Sequence, residues 1–130
     1  MARGLTSEGA VTGDFIQQMS DGDALQGLPI LLTGSADVIN PHVSGNYIIK
    51  TAGVDAMTLK ALTVGVDDNL SIAIFSDTLF AHTLTATSLL ANGTALKTTA
   101  TWPAFRGAGI ILRAFNGVWH VVNNTAVTLS

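Results

Sequence analysis

From about Tyr47 to the C-terminus, apolar and polar residues alternate in short runs, and this pattern predicts β-strands. The runs are rich in Val and Thr, and turn-forming Gly, Asn, Asp or Ser residues close most of them. The candidate strands cover residues 28–33, 46–51, 56–64, 70–76, 81–87, 96–102, 108–115, 118–122 and 125–129. No stretch has the 3.6-residue period of a useful amphipathic helix. Strands at spacings of about 8–12 residues are typical of sandwiches and barrels. We therefore expect an all-β fold, an antiparallel, jelly-roll-like β-sandwich.

The strongest local signal is Asn116-Gly117 between two apolar runs, because both central residues of a type I′ hairpin turn have positive φ. A two-residue loop pairs Phe115 with Val118, Ala114 with Trp119, Arg113 with His120, Leu112 with Val121 and Ile111 with Val122. One face of the hairpin then carries the core residues Ile110, Leu112, Ala114, Trp119 and Val121. The other face carries Ile111, Arg113, Phe115, Val118, His120 and Val122 and is amphipathic rather than hydrophilic. A second face this apolar is typical of a sheet that meets another layer or subunit.

The run 81–87 divides in a similar way. His82, Leu84 and Ala86 share one face, and Thr83, Thr85 and Thr87 form a stripe on the other. The neighbouring run 70–76 is apolar on both faces except for Ser71 and Ser76. These strands predict that at least one sheet is covered on both sides.

The first 27 residues have a different composition, with many Gly, Ser, Asp and Gln residues and few large apolar ones. Phe15, Ile16, Met19 and Leu25 are too few to form a core. We therefore divide the chain into an N-terminal arm, residues 1–27, and a β-sandwich domain, residues 28–130. Residues 34–46 contain turn signals at Asn40-Pro41 and Ser44-Gly45 and are expected to form a loop.

Composition indicates a protein that hides much of its surface in an assembly. Charged residues make up 12% of the 130 residues, against about 25% in typical soluble domains, and the mean hydropathy is +0.44. No apolar run approaches the roughly 18 residues of a membrane helix, so no membrane partner is expected. Surplus apolar surface in so small a chain favours self-association or docking on a larger surface.

Charge and the absence of cysteine narrow the chemistry further. The net charge is −3, and residues 1–46 carry most of the acidity, with Arg3 against five acidic residues. No basic patch with interleaved aromatic residues occurs, which argues against nucleic-acid binding. The chain has no Cys, so disulfides and thiolate metal sites are excluded.

The residues that could carry catalysis or bind metal do not form a recognisable motif. His42, His82 and His120 lack metal-ligand spacing, and neither Asp21-Gly22-Asp23 nor Asp67-Asp68-Asn69 completes a calcium loop. A serine, His82 and Asp77 supply the residue types of a nucleophilic catalytic triad, but the chain has no Gly-x-Ser-x-Gly elbow to position the serine. We therefore expect no enzymatic activity, no cofactor and no metal, with His120 and Arg113 forming a cross-strand polar pair.

Three segments together suggest a family. They are the run from Asp77 to Ala86 with its Ala81-His82-Thr83 core, the run Lys97-Thr98-Thr99-Ala100-Thr101-Trp102, and the run from Gly107 to Val122 with the Phe115-Asn116-Gly117-Val118-Trp119 hairpin. As a set, across roughly residues 70–130, they resemble small β-sandwich structural proteins of tailed bacteriophages. That family includes capsid decoration (cement) proteins and related tail-fibre modules. The first 46 residues match no pattern of the family.

The resemblance implies a virion protein, commonly a homotrimer on the capsid surface, with the major capsid protein as partner and no catalytic residue. We expect a decoration protein that binds the assembled shell and stabilises it. The alternatives are a receptor- or glycan-binding module of a tail fibre or spike and, more distantly, a bacterial lectin. The candidate interface residues are Phe15, Ile16 and Leu25 in the arm and Arg113, Phe115, Val118 and His120 on the hairpin.

Overall fold

The computed structural model describes residues 28–130, and this part of the chain is all β, with no helix. Its strands are β1 Ile30–Leu32, β2 Val38–Ile39, β3 Gly45–Ile49, β4 Ala56–Leu59, β5 Ser71–Ser76, β6 Thr83–Asn92, β7 Ala95–Thr101, β8 Gly109–Phe115, β9 Val118–Thr125 and β10 Thr128–Leu129. The predicted fold class is confirmed at this level. The predicted arm, residues 1–27, lies outside the described residues.

The strands form one mixed, curled sheet, which is best understood as two halves. In half-sheet A, β1, β3, β5, β8 and β9 lie side by side in that order, and in half-sheet B the order is β2, β4, β6, β7 and β10. The end of β6 pairs with the start of β9 and joins the halves. Successive strands along the chain alternate between the halves as far as β6, so β1, β3 and β5 pair in parallel, as do β2, β4 and β6.

This parallel pairing corrects the sequence prediction, which had all strands antiparallel. Antiparallel pairs occur only later in the chain. There β7 pairs with β6, β8 with β5, β9 with β8 and β10 with β7. The early strands instead coil, each turn of the chain adding one strand to each half. Parallel neighbours need a long connection between them, and here the connection contains a strand of the other half.

The chain passes from one half to the other through stacked connections, which we call corners: residues 33–37, 50–55, 77–82 and 102–108. Backbone hydrogen bonds link each corner to the next, for example from Lys50 N–H to the Leu32 carbonyl (2.9 Å), from Asp77 N–H to the Ile49 carbonyl (2.9 Å) and from Trp102 N–H to the His82 carbonyl (2.8 Å). Ile49 pairs with Ser76, and Thr58 with Thr85, both 27 residues apart. The second and third corners therefore stack residue over residue.

A single core fills the space between the halves. Half-sheet A contributes buried side chains that include Ile49, Ile72, Ile74, Leu112 and Trp119, and half-sheet B contributes Ile39, Met57, Leu59, Leu84 and Leu90. Alternation along each strand then sends the intervening residues to the outer face of the sheet. These outer faces contain most of the predicted interface residues.

Several element boundaries differ from the sequence prediction. Residues 34–46, expected to form a loop, contain β2, and the run 56–64 ends as a strand at Leu59. Conversely, β6 continues to Asn92, five residues beyond the predicted end at 87, and turns into β7 through Gly93, whose φ is +70°. The extension matters because it is this end of β6 that pairs with β9.

Candidate functional site

The outer face of half-sheet A contains the four predicted interface residues that lie among residues 28–130. The hairpin pairs Phe115 with Val118, Ala114 with Trp119, Arg113 with His120 and Leu112 with Val121, as predicted. Asn116 and Gly117 have φ of 53° and 78°, which fits the type I′ turn. Arg113 and His120 are exposed, Phe115 is 57% exposed and Val118 is half-buried. The other predicted interface residues, Phe15, Ile16 and Leu25, lie outside the described part of the chain.

The hairpin register changes beyond Val121, where one pairing prediction is wrong. Ile111 pairs with Asn123 and not with Val122, because a β-bulge inserts an extra residue into β9. Bulges bend the strand and disturb the local pairing. The predicted core face is confirmed for Ile110, Leu112, Ala114 and Trp119, which are buried, whereas Val121 is only half-buried.

The outer face of half-sheet A also carries a row of apolar side chains that crosses the strands. The pairing aligns Leu31, Ile48 and Phe75 on β1, β3 and β5, and the row ends at Gly109 on β8. A Cβ on Gly109 would lie 2.6 Å from the Phe75 Cβ and 2.8 Å from the Ile74 carbonyl oxygen. Only glycine therefore allows β8 to approach Phe75 this closely.

Beside this row lies a trough. The next row along the strands is Asn46, Ala73, Ile111 and Asn123. Ala73 has the smallest side chain of this row, so the surface is depressed at its position between the larger neighbours. Two connected shallow grooves of about 420 and 360 Å³ share Ala73 and Ile111. Phe75 and Gly109 border the trough on one side, and Ser71 and Arg113 form the next row on the other.

The outer face of half-sheet B is different, because threonines dominate it. Thr83, Thr85 and Thr87 face away from the buried Leu84 and Ala86, as predicted. Strand pairing extends this stripe to neighbouring strands: Thr83 pairs with Thr101, which pairs with Thr128, and Thr85 pairs with Thr58 and Thr99. Half-sheet B thus presents a surface rich in threonine hydroxyls, in contrast to the apolar surface of half-sheet A.

The corners contain the polar groups with the most perturbed environments. Because the second and third corners stack with an offset of 27 residues, Asp55 lies over His82. The Asp55 N–H donates a hydrogen bond to His82 Nδ1 (3.0 Å). His82 Nε2 lies 2.6 Å from Thr78 Oγ1, and that hydroxyl is 3.0 Å from Ser76 Oγ. All four side chains are buried. Because Nδ1 accepts, the proton of the neutral ring is on Nε2, and burial lowers the pKa of His82.

The Asp55 carboxylate itself is only half satisfied. Its Oδ1 accepts the Asp37 N–H (3.1 Å), while Oδ2 is buried without a hydrogen-bond partner among residues 28–130. Burial, and then the adjacent Asp37 carboxyl, raise the pKa of Asp55 to about 6. The sequence alone gave no reason to select Asp55, since its role depends on which corner stacks on which.

The triad considered from the sequence does not form. Asp77 lies on the outside of the third corner, where Lys50 Nζ (2.9 Å) and Arg106 Nε (3.2 Å) contact its carboxylate. The hydrogen bond and charge of Lys50, helped by Arg106, lower the pKa of Asp77. Both ring nitrogens of His82 are engaged within the corner, by the Asp55 N–H and the Thr78 hydroxyl. The histidine is therefore a structural link between two corners.

The candidate calcium segment that falls in the described chain is also used internally. Asp67 accepts the Thr63 N–H (2.7 Å) and forms an ion pair with Lys60 (3.1 Å), and these contacts, the Thr63 hydrogen bond first, lower its pKa. Asp68 accepts the N–H of Asn116 and so fixes the hairpin turn. Residues 28–130 contain no group of three or more His, Asp or Glu side chains that could hold a metal ion. The segment Asp21-Gly22-Asp23 lies outside this range.

Trp102 is fully buried at the end of β7. Because the side chain is fully buried, the indole is not available as a sugar-stacking platform, and its Nε1 has no hydrogen-bond partner in the described chain. Within residues 28–130, no helix is long and apolar enough to cross a membrane.

Comparison with known proteins finds no family model and no curated protein that match this chain. The candidate site is therefore defined by its own geometry, as the apolar outer face of half-sheet A.

Proposed function

We propose that this protein is a bacteriophage virion structural protein, a capsid decoration (cement) protein that binds the assembled shell and stabilises it. The observation that carries the proposal is the apolar outer face of half-sheet A, where Leu31, Phe75 and Phe115 are exposed on a folded sheet that has a full core on its other side. An exposed face of this kind is typical of a surface that another protein covers. The resemblance of residues 70–130 to phage structural proteins supplies the viral context.

The proposed assembly is a homotrimer on the capsid surface. One of the two outer faces meets a sister subunit: the face with Arg113, Phe115, Val118 and His120, or the threonine face of half-sheet B. The other is then free to meet the major capsid protein. In this proposal the two halves of the curled sheet act as the layers of a jelly-roll-like sandwich, and the protein has no catalytic role.

The stabilising effect follows from mass action. A ligand that binds only the assembled shell stabilises it by RT ln(1 + [L]/Kd), which is about 2.7 kcal/mol per site at a free concentration of one hundred times Kd. The stabilisation free energies of many weak sites on one shell would add together. A small protein can therefore reinforce a capsid without covalent chemistry.

The test is binding to purified shells that lack the protein. The full chain should co-sediment with them in many copies per shell and should raise the temperature at which they disrupt. A chain without residues 1–27 should stay folded and bind more weakly, since we propose that this arm contributes more to attachment than to the fold. Saturation at a few copies confined to the tail would favour the alternative, a receptor- or glycan-binding module of a fibre or spike. No binding to shells would contradict the proposal.

A further inference from the structure

The trough on half-sheet A is continuous with the point at which the described chain begins. Ile30 pairs with Tyr47, so the preceding residue, Pro29, lies beside Asn46 at the end of the row Asn46, Ala73, Ile111 and Asn123. Leu28, the next residue back, is 66% exposed. The chain that precedes Pro29 therefore starts at one end of an apolar trough.

We propose that residues 21–27 of this same chain occupy the trough, with Leu25 packed over Ala73 and Ile111. Neighbouring strands are about 4.8 Å apart, so Ala73 on β5 lies about 10 Å from β1 and Ile111 on β8 about 14 Å from it. Leu25 is four residues before Pro29, and an extended chain spans about 13 Å over that length. The length of chain and the position of the trough therefore match.

The residues between these two points suit the required change of direction. Strand β1 runs along the sheet, whereas the trough crosses it, so the chain must bend just before Pro29. Gly27 stands at this place and tolerates backbone conformations that other residues rarely adopt. Pro29 has no N–H to leave unpaired at the start of the edge strand.

Charge favours the same occupant. Residues 21–27 carry Asp21 and Asp23 and no basic residue. On the sheet, the row next to the trough contains the exposed Arg113, opposite His120, and no acidic side chain of β5, β8 or β9 lies on this face. An acidic segment with one apolar anchor thus complements an apolar trough bordered by a guanidinium group.

The inference concerns the chain by itself and does not depend on capsid binding. It would place residues 1–20, with Phe15 and Ile16, next to the proposed assembly face on half-sheet A. The arm would then be partly anchored on its own domain and partly free for a partner.

Disulfide trapping tests the proposal cleanly, because the chain has no cysteine of its own. A disulfide requires Cβ atoms about 3.8 Å apart, so it reports direct contact. The test protein is full-length Leu25→Cys/Ala73→Cys. Its control is Leu25→Cys/Val38→Cys, because Val38 is exposed and lies in the first turn of the coil, but on half-sheet B. Circular dichroism checks that both variants keep the β fold.

Under mild oxidation, the 25–73 pair should link within one chain at least about tenfold faster than the 25–38 pair, as expected for a high local concentration. Peptide mass analysis identifies the link, and non-reducing electrophoresis separates linked monomers from linked oligomers. Equal rates for the two pairs would overturn the proposal. Links between chains would also overturn it, because the trough would then hold the segment of a sister subunit.

If either variant does not fold, a single-site version gives the answer. Ala73→Cys alone should react with a soluble thiol reagent several-fold more slowly in the full chain than in a chain without residues 1–27. The corresponding rates for Val38→Cys should be equal. If Ala73→Cys reacts at the same rate in the full chain and in the chain without residues 1–27, the docking of the segment is contradicted.

Discussion

Asp55 brings a carboxylate into the corner between the half-sheets, where only one of its two oxygens accepts a hydrogen bond from the described chain. A buried carboxylate is costly to ionise, and here the neighbouring Asp37 carboxyl adds to the cost. Its backbone is nevertheless essential to the corner, since the Asp55 N–H holds His82 and the Asp55 carbonyl accepts the Thr83 N–H (3.1 Å). The backbone of this residue thus stabilises the fold, while its charge opposes it.

This opposition predicts a pH-dependent effect of Asp55→Asn. The pKa of Asp55 is about 6 in the folded chain and close to 3.9 when unfolded, so its contribution to stability falls as pH rises from about 4 to 6. Asn has the same shape and does not ionise. Relative to the wild type, Asp55→Asn should therefore be more stable at pH 7.5 than at pH 4.5, by about 2 kcal/mol. Urea denaturation at the two pH values measures this difference.

Asp77→Asn is the matched control, because Lys50 and Arg106 lower the pKa of Asp77. A lowered pKa changes stability only below the unfolded value of about 3.9, so the effect of Asp77→Asn should be the same at pH 4.5 and 7.5. The lowered pKa of His82 affects both variants equally and cancels in the comparison. An Asp55→Asn effect that does not change with pH would show that the carboxylate is solvated.

At the scale of elements, the hairpin β8–β9 was predictable because the residues that determine its pairing are close together in the sequence. Asn116-Gly117 fixes the turn, and the turn fixes the pairing as far as Leu112 and Val121. The bulge after Val121 carries no comparable signal, since Val122 has the same side chain as its neighbour. A prediction from the turn alone therefore loses the register at that point.

The parallel pairs were not predictable in this way. Ile49 and Ser76 pair across 27 residues, and no turn or motif in the sequence states that they are neighbours. Alternation does predict which residues of a strand face the core, and this succeeded for His82, Leu84 and Ala86. It does not determine which strand lies next to which, so the stacked corners, and with them the role of Asp55, could be found only in the structure.

The contact of β8 with β5 depends on Gly109, which gives a prediction at this scale. Gly109→Ala places a methyl group 2.6 Å from the Phe75 Cβ, so the two strands must separate. We expect a loss of about 1–3 kcal/mol, the usual cost of overpacking. Denaturant unfolding monitored by Trp fluorescence measures it, because Trp119 and Trp102 are both buried.

Gly53→Ala is the control for this change. A Cβ on Gly53 meets nothing within 4 Å, and its φ is not in the left-handed region. It should change stability by no more than about 0.5 kcal/mol. Similar effects of the two substitutions would mean that the approach of β8 to Phe75 is not tight.

At the scale of the whole molecule, a partner covers the outer face of half-sheet A in the proposed assembly. If the hairpin face is the one that meets a sister subunit, Phe115→Asp should reduce self-association much more than it reduces the stability of the monomer, because the new charge would be buried unpaired only in the assembly. Val66→Asp is the matched control, since Val66 is 77% exposed in the connection between β4 and β5. Multi-angle light scattering at micromolar concentration measures the mass of each variant.

The wild type and Val66→Asp should have the mass of a trimer, and Phe115→Asp that of a smaller species. A monomeric wild type would contradict the proposed assembly. A Phe115→Asp variant that remains trimeric would move the interface away from the hairpin and favour the threonine face.

The most direct measurement is a cryo-electron microscopy reconstruction of the virion that contains this chain. We expect copies at regular positions over the whole capsid lattice, in threefold clusters, with one outer face of the curled sheet seated on the shell. Density for this fold only at the tail, or none on the virion, would contradict this expectation.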